Sequence, residues 1–321
     1  MKMALVTPAP PRSRAGNRAT ATRWSKLLRA AGYQVDILER WGADDRSYDL
    51  MIALHAWRSA SSIAAFSRRF PHRPLIVVLT GTDIYHFQHT HPEETRASLH
   101  SASALIGLHD HVTQDIPSTY HARLHIVHQS AQPLPASYPG PSVRRFTLCV
   151  VGHLREEKDS LRAAEAARLL PAESRIQIIH AGRSHTPDWA LAAQAQMRDN
   201  KRYSWLGEVS QTVIRRLYAR SQAMVISSLM EGGANVVSEA CLAGLPVIAS
   251  DIPGNTGLLG QDYPGLFPAG DTAALAKLMA RLESDLALRA ALTDRCCAQA
   301  RRHTPEAEQA GLLAVIHGAS L

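Results

Sequence analysis

Short apolar runs alternate with amphipathic helical segments along the first half of the chain, and this alternation restricts its fold more than any other feature. The apolar runs predict strands at residues 4–6, 35–38, 50–54, 75–79, 104–107 and 124–127. Apolar residues at helical spacing predict helices near 19–31, 61–69 and 93–101. Strands that alternate with helices are typical of a parallel, doubly wound α/β sheet.

Residues 130–145 interrupt the pattern with four prolines and no periodicity, so they are interpreted as a linker. A second series then predicts strands at 146–151, 176–180, 223–227 and 246–249, with helices at 161–170, 187–199, 212–221, 234–243 and within 271–317. A chain of 321 residues is long enough for two domains. We therefore expect two Rossmann-like α/β domains, 1–140 and 141–321, which face each other across a ligand cleft. The last helix is a candidate to pack back on the first domain.

Composition narrows the classes of protein that need to be considered. Hydrophobic residues make up 45% of the chain and charged residues 20%, which indicates a folded protein. We see no membrane-spanning run and no signal peptide, and expect a cytoplasmic protein. The four cysteines form no CxxC pair and are expected to be reduced thiols. The net charge of +7 is spread along helices, which favours phosphate-bearing small ligands over nucleic acid or membrane.

The strongest motif lies between the third and fourth strands of the second series. Glu231 and Glu239 stand on either side of seven residues that begin with Gly232 and Gly233. The glycines let the backbone approach a ligand, and the following helix offers free N–H groups that suit a diphosphate. Glu239 can accept hydrogen bonds from ribose hydroxyls, and Glu231 can do so from a sugar ring. No GxGxxG loop is present, so a dinucleotide redox enzyme is not favoured.

This motif resembles the E-x7-E signature of the retaining GT-B glycosyltransferases of family 4. The resemblance implies that Glu239 holds the nucleotide ribose, that Glu231 contacts the transferred sugar, and that amides between them bind the diphosphate. The expected donor-binding residues are Gly16, Gly232, Gly233, Ala234, Asn235, Val236 and Glu239. GT-B enzymes generally work without a bound metal, so neither a metal nor another cofactor is expected.

The run from Val151 to Lys158 resembles the G-R-L-x-x-x-K-G loop of the same family. Lys158 is retained, and its expected role is to neutralise the departing diphosphate. Two positions depart from the family pattern, because His153 stands in place of the arginine and Asp159 in place of the glycine. Arg155 is expected to supply the missing cation, although His153 remains an alternative.

Four segments of the N-terminal half resemble the selenosugar synthase subgroup, at residues 7–20, 53–59, 79–85 and 128–130. This subgroup joins selenophosphate to the anomeric carbon of UDP-N-acetylglucosamine in selenoneine biosynthesis, so these two substrates are the expected partners. These loops follow predicted strands at the edge where an acceptor would bind, and from that position we expect acceptor-binding residues at Asn17, Arg18, His55, Arg58, Thr82 and Asp83. Thr80 replaces the family histidine, and we expect it in the catalytic set because an anionic nucleophile needs positioning more than a base.

Several alternatives stay open on the sequence alone. His86, His89 and His91 suggest a metal site, but their spacing does not fix one coordinating face. His55 could equally be a packed histidine. An ordinary family 4 O-glycosyltransferase is an alternative function, and a non-catalytic nucleotide-binding or nucleic-acid-binding module is an alternative of another class. A GT-B epimerase that hydrolyses UDP-N-acetylglucosamine is a further alternative, but its expected acid–base residues are not visible in the sequence. The sequence does not indicate the oligomeric state.

Overall fold

The computed structural model describes residues 1–11, 13, 15–42 and 44–320 and divides the chain into two compact units. The first unit contains Met1–Ser130, Glu231–Asn235 and Thr304–Leu321. The second contains Ala131–Met230 and Val236–His303. Each unit is built on one six-stranded sheet in which neighbouring strands run parallel. The prediction of an α/β chain with two parallel sheets is confirmed.

The first unit follows the predicted alternation. Its strands are β1 (Lys2–Val6), β2 (Gln34–Leu38), β3 (Leu50–Leu54), β4 (Leu75–Val78), β5 (Ala104–Gly107) and β6 (Leu124–Ile126), in the order β2-β1-β3-β4-β5-β6. Its first helices are α1 (Gly16–Ala30), α2 (Ala60–Arg69), α3 (Gln88–Thr90) and α4 (Pro92–Ser101). A π-helical segment, Asp83–Phe87, follows β4. Such segments are rare and occur frequently at functional sites.

The second unit repeats the plan. Its strands are β7 (Phe146–Val151), β8 (Ile176–Ala181), β9 (Tyr203–Trp205), β10 (Ala223–Ile226), β11 (Val247–Asp251) and β12 (Leu266–Pro268), in the order β12-β11-β10-β7-β8-β9. Its helices are α5 (Arg162–Arg168), α6 (Pro187–Asp199), α7 (Gln211–Arg220), α8 (Asn235–Leu242), α9 (Pro253–Leu259), α10 (Thr272–Ser284) and α11 (Leu286–Ala300). The last helix, α12 (Pro305–Ala319), belongs to the first unit. In the described part of the chain, no helix combines the length and the hydropathy that a membrane span requires.

Both faces of the first sheet are covered, as expected for parallel strands. Successive residues of β1 point to opposite faces. Met3 and Leu5 pack in a cluster with Trp24 of α1 and side chains of α12, while Ala4 and Val6 pack with side chains of α2 and α4. Because apolar side chains cover both faces, we expect the polar ligand-binding groups in the loops at the carboxyl ends of the strands.

The structure differs from the sequence-based expectation at short elements and at one boundary. Strands β9 and β12 and helix α9 were not predicted. Each strand has only three residues, too few to show a period, and α9 contains Pro253, Gly254 and Gly257, which oppose a helical prediction. The N-terminal segment of the first unit ends at Ser130, ten residues earlier than the expected boundary at 140. Residues 131–145, all described, contain neither helix nor strand.

Candidate functional site

In the second unit, the loop after β7 is held against the loop after β8. The Gly152 N–H donates to the carbonyl of Ala181 at 3.0 Å. A Cβ at Gly182 would lie 1.8 Å from the carbonyl oxygen of Gly152, so only glycine fits there. The Nε2–H of His180 donates to the same oxygen at 3.0 Å, which leaves its Nδ1 to accept from the Tyr203 hydroxyl at 2.9 Å. Burial lowers the pKa of His180 to about 4, so this bridge is a neutral imidazole at physiological pH.

Lys158 ends a 3-10 turn, Glu156–Lys158, at the carboxyl edge of the second sheet. The Ser227 hydroxyl lies 3.3 Å from the carbonyl oxygen of Lys158 and 3.0 Å from that of Asp159. The Leu229 N–H donates to the carbonyl of Glu157 at 2.9 Å. The turn is thus fixed to the loop that follows β10. Lys158 lines a small pocket there, together with Gly152, His153, Ser160, Ser227 and Ser228.

Further basic residues surround this turn. Arg155 lies with its Nε 3.8 Å from a carboxylate oxygen of Glu157. The Nδ1 of His153 accepts from the backbone N–H of Arg183 at 3.1 Å, and Leu154 pairs with Ser184 in a parallel bridge. Partial desolvation and the charges of Arg155 and Arg183 lower the pKa of His185. Arg183 and His185 were not predicted as site residues, although both lie within five residues of the end of a predicted strand.

Glu239 of α8 is held by two side chains of α7. The Tyr218 hydroxyl donates to one carboxylate oxygen at 2.7 Å, and the Gln211 amide donates to the other at 3.1 Å. Neither partner was predicted. Tyr218 occupies an apolar position of an amphipathic helix, so its sequence context suggests only packing.

The segment 231–235 belongs to the first unit and is tightly packed there. Glu231 is 8% exposed. A Cβ at Gly232 would lie 2.2 Å from the backbone nitrogen of Gly81, and one at Gly233 would lie 2.4 Å from Cβ of Leu108. The helix predicted from residue 234 begins at Asn235, while Ala234 is buried and Val236 is half-buried. Gly232 thus lies against the backbone of Gly81 and Gly233 against the side chain of Leu108, and the expected approach of this glycine pair to a ligand stays a prediction.

The N-terminal candidates lie at the start of α1. Gly16 is its first residue, and Asn17 and Arg18 follow, with no side-chain cap on the helix. Gly16 lies beside Asn235. A Cβ built on Gly16 would be 3.9 Å from the side-chain amide nitrogen of Asn235. The Asn235 amide oxygen accepts from Arg23 at 3.0 Å. Arg23 in turn forms a bidentate pair with the buried Glu308 of α12, at 2.7 and 3.0 Å.

The loops after β3 and β4 bring His55, Arg58 and Thr82 together. The backbone N–H of Arg58 donates to Nδ1 of His55 at 3.2 Å, so the proton of a neutral imidazole lies on Nε2. That nitrogen is 3.0 Å from the Thr82 hydroxyl. Burial, followed by the charge of Arg58, lowers the pKa of His55. His55 also has a left-handed backbone, φ 74°, which is rare outside glycine and concentrates at functional sites.

The side chain of Asp83 points into the protein interior. Its side chain is fully buried, and its carboxylate accepts from the backbone N–H groups of Thr80, Gly81 and Ala56 at 2.8–3.1 Å. Asp83 therefore joins the two loops, and its expected contact with the acceptor stays a prediction. The Thr80 hydroxyl is shielded from solvent and has no hydrogen-bond partner among the described residues, so its predicted role stays a prediction.

Two of the three histidines near residue 90, His86 and His91, form part of an aromatic cluster. The rings of Trp57 and Phe87 stack at 3.9 Å, His91 lies 4.5 Å from Trp57, and the Arg58 guanidinium lies 5.6 Å from the Phe87 ring. Over the ranges that the structure describes, no three metal-binding side chains are grouped.

Comparison with known proteins finds a family match that covers most of the second unit. Residues 139–297 match the family described as "Glycosyl transferases group 1". The chain is 30% identical over 114 residues to the Glycosyltransferase 1 domain-containing protein 1 of Xenopus tropicalis. That match covers 35% of this chain and 33% of the relative, so the chain spans about a third of the curated relative it matches.

Solved structures match nearly the whole chain. HepE of Anabaena, in complex with UDP and glucose, has a TM-score of 0.77 at 15% identity and covers 99% of each chain. Sucrose-phosphate synthase of Thermosynechococcus elongatus has a TM-score of 0.78 at 16% identity and covers 98% of each chain. At such low identity these likenesses show the fold alone. The chain therefore has the predicted two-domain GT-B fold, and its residues 139–297 are similar to the glycosyltransferase group 1 family.

Proposed function

We propose that this protein is a glycosyltransferase that moves N-acetylglucosamine from UDP-N-acetylglucosamine to selenophosphate and forms a carbon–selenium bond. The observation that carries the proposal is the position of Lys158. It lies at the carboxyl edge of the second sheet, within the domain that matches the glycosyltransferase family. Ligands of doubly wound α/β sheets bind at this edge.

The second unit would hold the nucleotide part of the donor. Glu239 is oriented by Tyr218 and Gln211 and retains lone pairs that can accept from both ribose hydroxyls. Lys158 and Arg155 would face the diphosphate. The solved complexes of HepE with UDP and with UDP-glucose support a uridine nucleotide as the donor.

The chemical step requires above all that the charge on the leaving group be stabilised. The bond between the anomeric carbon and the β-phosphate oxygen breaks, and its electron pair leaves with UDP. A selenium lone pair forms the new bond to the same carbon. The cationic side chains Lys158 and Arg155 would stabilise the charge that develops on UDP. Retention of anomeric configuration is expected from the resemblance to family 4.

The loops of the first unit support an anionic acceptor. An alcohol must lose a proton as it attacks, whereas selenophosphate is already an anion. Both ring nitrogens of His55 are engaged, by Arg58 and by Thr82, and its pKa is lowered by burial. Arg58 and the Thr82 hydroxyl would then position the anion and neutralise its charge.

Mass spectrometry of the products tests the proposal. The chain is incubated with UDP-N-acetylglucosamine and either selenophosphate or glycerol. We expect a selenium-containing sugar phosphate from the first acceptor, loss of product in Glu231→Ala, and unchanged product in Glu306→Ala, which removes an exposed glutamate of α12.

The other outcomes identify the alternatives. Product from glycerol and none from selenophosphate would make the protein an O-glycosyltransferase. Binding of UDP without turnover of either acceptor would make it a nucleotide-binding module.

A further inference from the structure

Asp159 has a backbone conformation that its neighbours must stabilise. Its φ of 45° and ψ of 50° are left-handed. Within the described residues, His55 is the only other non-glycine residue with positive φ. Family 4 enzymes have glycine at this place in the loop, and glycine adopts that conformation without steric cost. In this chain an aspartate stands there, directly after Lys158.

The aspartate side chain is bound by Arg162 of α5. The guanidinium donates to both carboxylate oxygens, from Nε at 2.7 Å and from Nη2 at 3.1 Å. Both side chains are largely buried, with 16% of Asp159 and 23% of Arg162 exposed. This bidentate geometry is the strongest that a carboxylate and a guanidinium form.

Arg162 also connects the turn to the body of the unit. Its Nη1 donates to the hydroxyl of Thr272, the first residue of α10, at 2.6 Å, and to Glu165 at 3.3 Å. The hydrogen bond with Asp159 is the largest contribution to a raised pKa of Arg162. With two carboxylates beside it, the guanidinium charge is neutralised by protein groups.

The peptide that joins Lys158 to Asp159 is thereby fixed from both sides. The Ser227 hydroxyl contacts the two carbonyl oxygens, and Arg162 holds the carboxylate of Asp159. Asp159 and Arg162 are absent from the lining of the pocket that Lys158 faces. A lysine side chain is flexible, so the place its ammonium group reaches depends on how firmly its backbone is held.

We propose that Asp159 and Arg162 are positioning residues that fix Lys158 for the donor diphosphate. The proposal rests on the proposed function, in which Lys158 neutralises that diphosphate. In this chain an ion pair provides what glycine provides in the family, a left-handed turn, and adds a rigid link to α10. A preorganised cation stabilises a developing charge better than one that must first be ordered.

The test compares UDP with uridine, because only UDP carries the groups that Lys158 would bind. Affinity for UDP is measured by calorimetry and affinity for uridine by NMR titration, in Asp159→Ala, Asp159→Gly and Arg162→Met. We expect Asp159→Ala and Arg162→Met to weaken UDP binding about tenfold and to leave uridine binding unchanged. Asp159→Gly keeps the left-handed turn and should weaken UDP binding less than Asp159→Ala.

A second set of variants separates positioning from general destabilisation. In a Lys158→Ala background, Arg162→Met should cause no further loss of UDP affinity, since the group that it positions is gone. Equal losses for UDP and uridine, unchanged UDP affinity in all three single variants, or an undiminished loss in the Lys158→Ala background would each overturn the inference. A chain that binds no UDP, or whose Lys158→Ala variant binds it as tightly as the native chain, would instead overturn the proposed function.

Discussion

The hydroxyl of Tyr218 donates a 2.7 Å hydrogen bond to the carboxylate of Glu239, the residue proposed to hold the donor ribose. Tyr218 is only 2% exposed, and burial first and Glu239 second raise its pKa well above the ordinary value. It therefore remains a hydrogen-bond donor throughout the physiological pH range. The carboxylate is held in one orientation before any ligand arrives.

Replacing Tyr218 by phenylalanine removes this donor and keeps the ring. We expect Tyr218→Phe to weaken UDP binding about three- to tenfold, because the carboxylate that would hold the ribose loses one of the two α7 side chains that orient it. The native chain should also bind UDP more tightly than 2′-deoxy-UDP, and the variant should discriminate less between them. Calorimetry with both nucleotides measures this. Undiminished discrimination in Tyr218→Phe would show that Glu239 needs no such support.

The contact between Gly81 and Gly232 predicts the effect of a single methyl group. A Cβ at Gly232 would lie 2.2 Å from the Gly81 nitrogen, and a Cβ at Gly81 would lie 2.5 Å from the Gly232 nitrogen. Each alanine variant must displace backbone, so we expect kcat/KM to fall more than about tenfold in both. Gly140→Ala is the matched control, because nothing lies within 4 Å of its Cβ. Native kcat/KM in Gly232→Ala would contradict this assignment.

The hydrogen bond between His55 and Thr82 predicts a dependence on one hydroxyl group. Thr82→Val leaves the buried Nε2–H of His55 without its acceptor, at a cost of about 1–3 kcal/mol. We expect a raised KM for selenophosphate with little change in the KM for the donor. Thr82→Ser keeps the hydroxyl and should behave like the native chain. Steady-state kinetics with each substrate varied in turn measures both KM values. A change in the KM for the donor alone would show that this loop contacts the donor instead.

The buried histidines predict how stability depends on pH. Burial lowers the pKa of His180 and of His109 from 6.5 to about 4 in the folded state. The unfolded chain therefore binds more protons between these values, and stability that is present above pH 6.5 is lost as the pH falls towards 4. Each histidine contributes about 3 kcal/mol to this loss.

Urea unfolding at about pH 7 and about pH 5 measures that loss directly. His180→Gln should show a smaller difference between the two pH values than the native chain, whatever its stability at neutral pH. His89→Gln, which replaces an exposed histidine, should leave the difference unchanged. An equal pH dependence in His180→Gln and the native chain would mean that His180 is not buried as a neutral ring.

The sequence predicted both sheets because most central strands are runs of buried apolar residues. The sequence did not predict the strands Tyr203–Trp205 and Leu266–Pro268, because three residues are too few to show a periodic pattern. The orientation of one side chain in the predicted site loops was also not foreseen. Asp83 stands in a polar loop after a strand, as a ligand-binding residue would, but its carboxylate turns inward to backbone N–H groups that no sequence pattern reveals.

The partners of the predicted residues were harder to foresee than the residues themselves. Tyr218 lies 21 residues before Glu239, and Ser227 lies 69 residues after Lys158. Such contacts depend on how strands are ordered in the sheet, where β10 lies beside β7. The family loop has glycine at this position, so the resemblance gave no indication that Asp159 would be bound by Arg162.

A crystal structure of the chain with UDP would show where the donor diphosphate lies. We predict that a β-phosphate oxygen lies about 2.7–3.2 Å from Nζ of Lys158, with the ribose hydroxyls at Glu239. A structure in which the diphosphate is bound and Lys158 does not contact it would contradict the account.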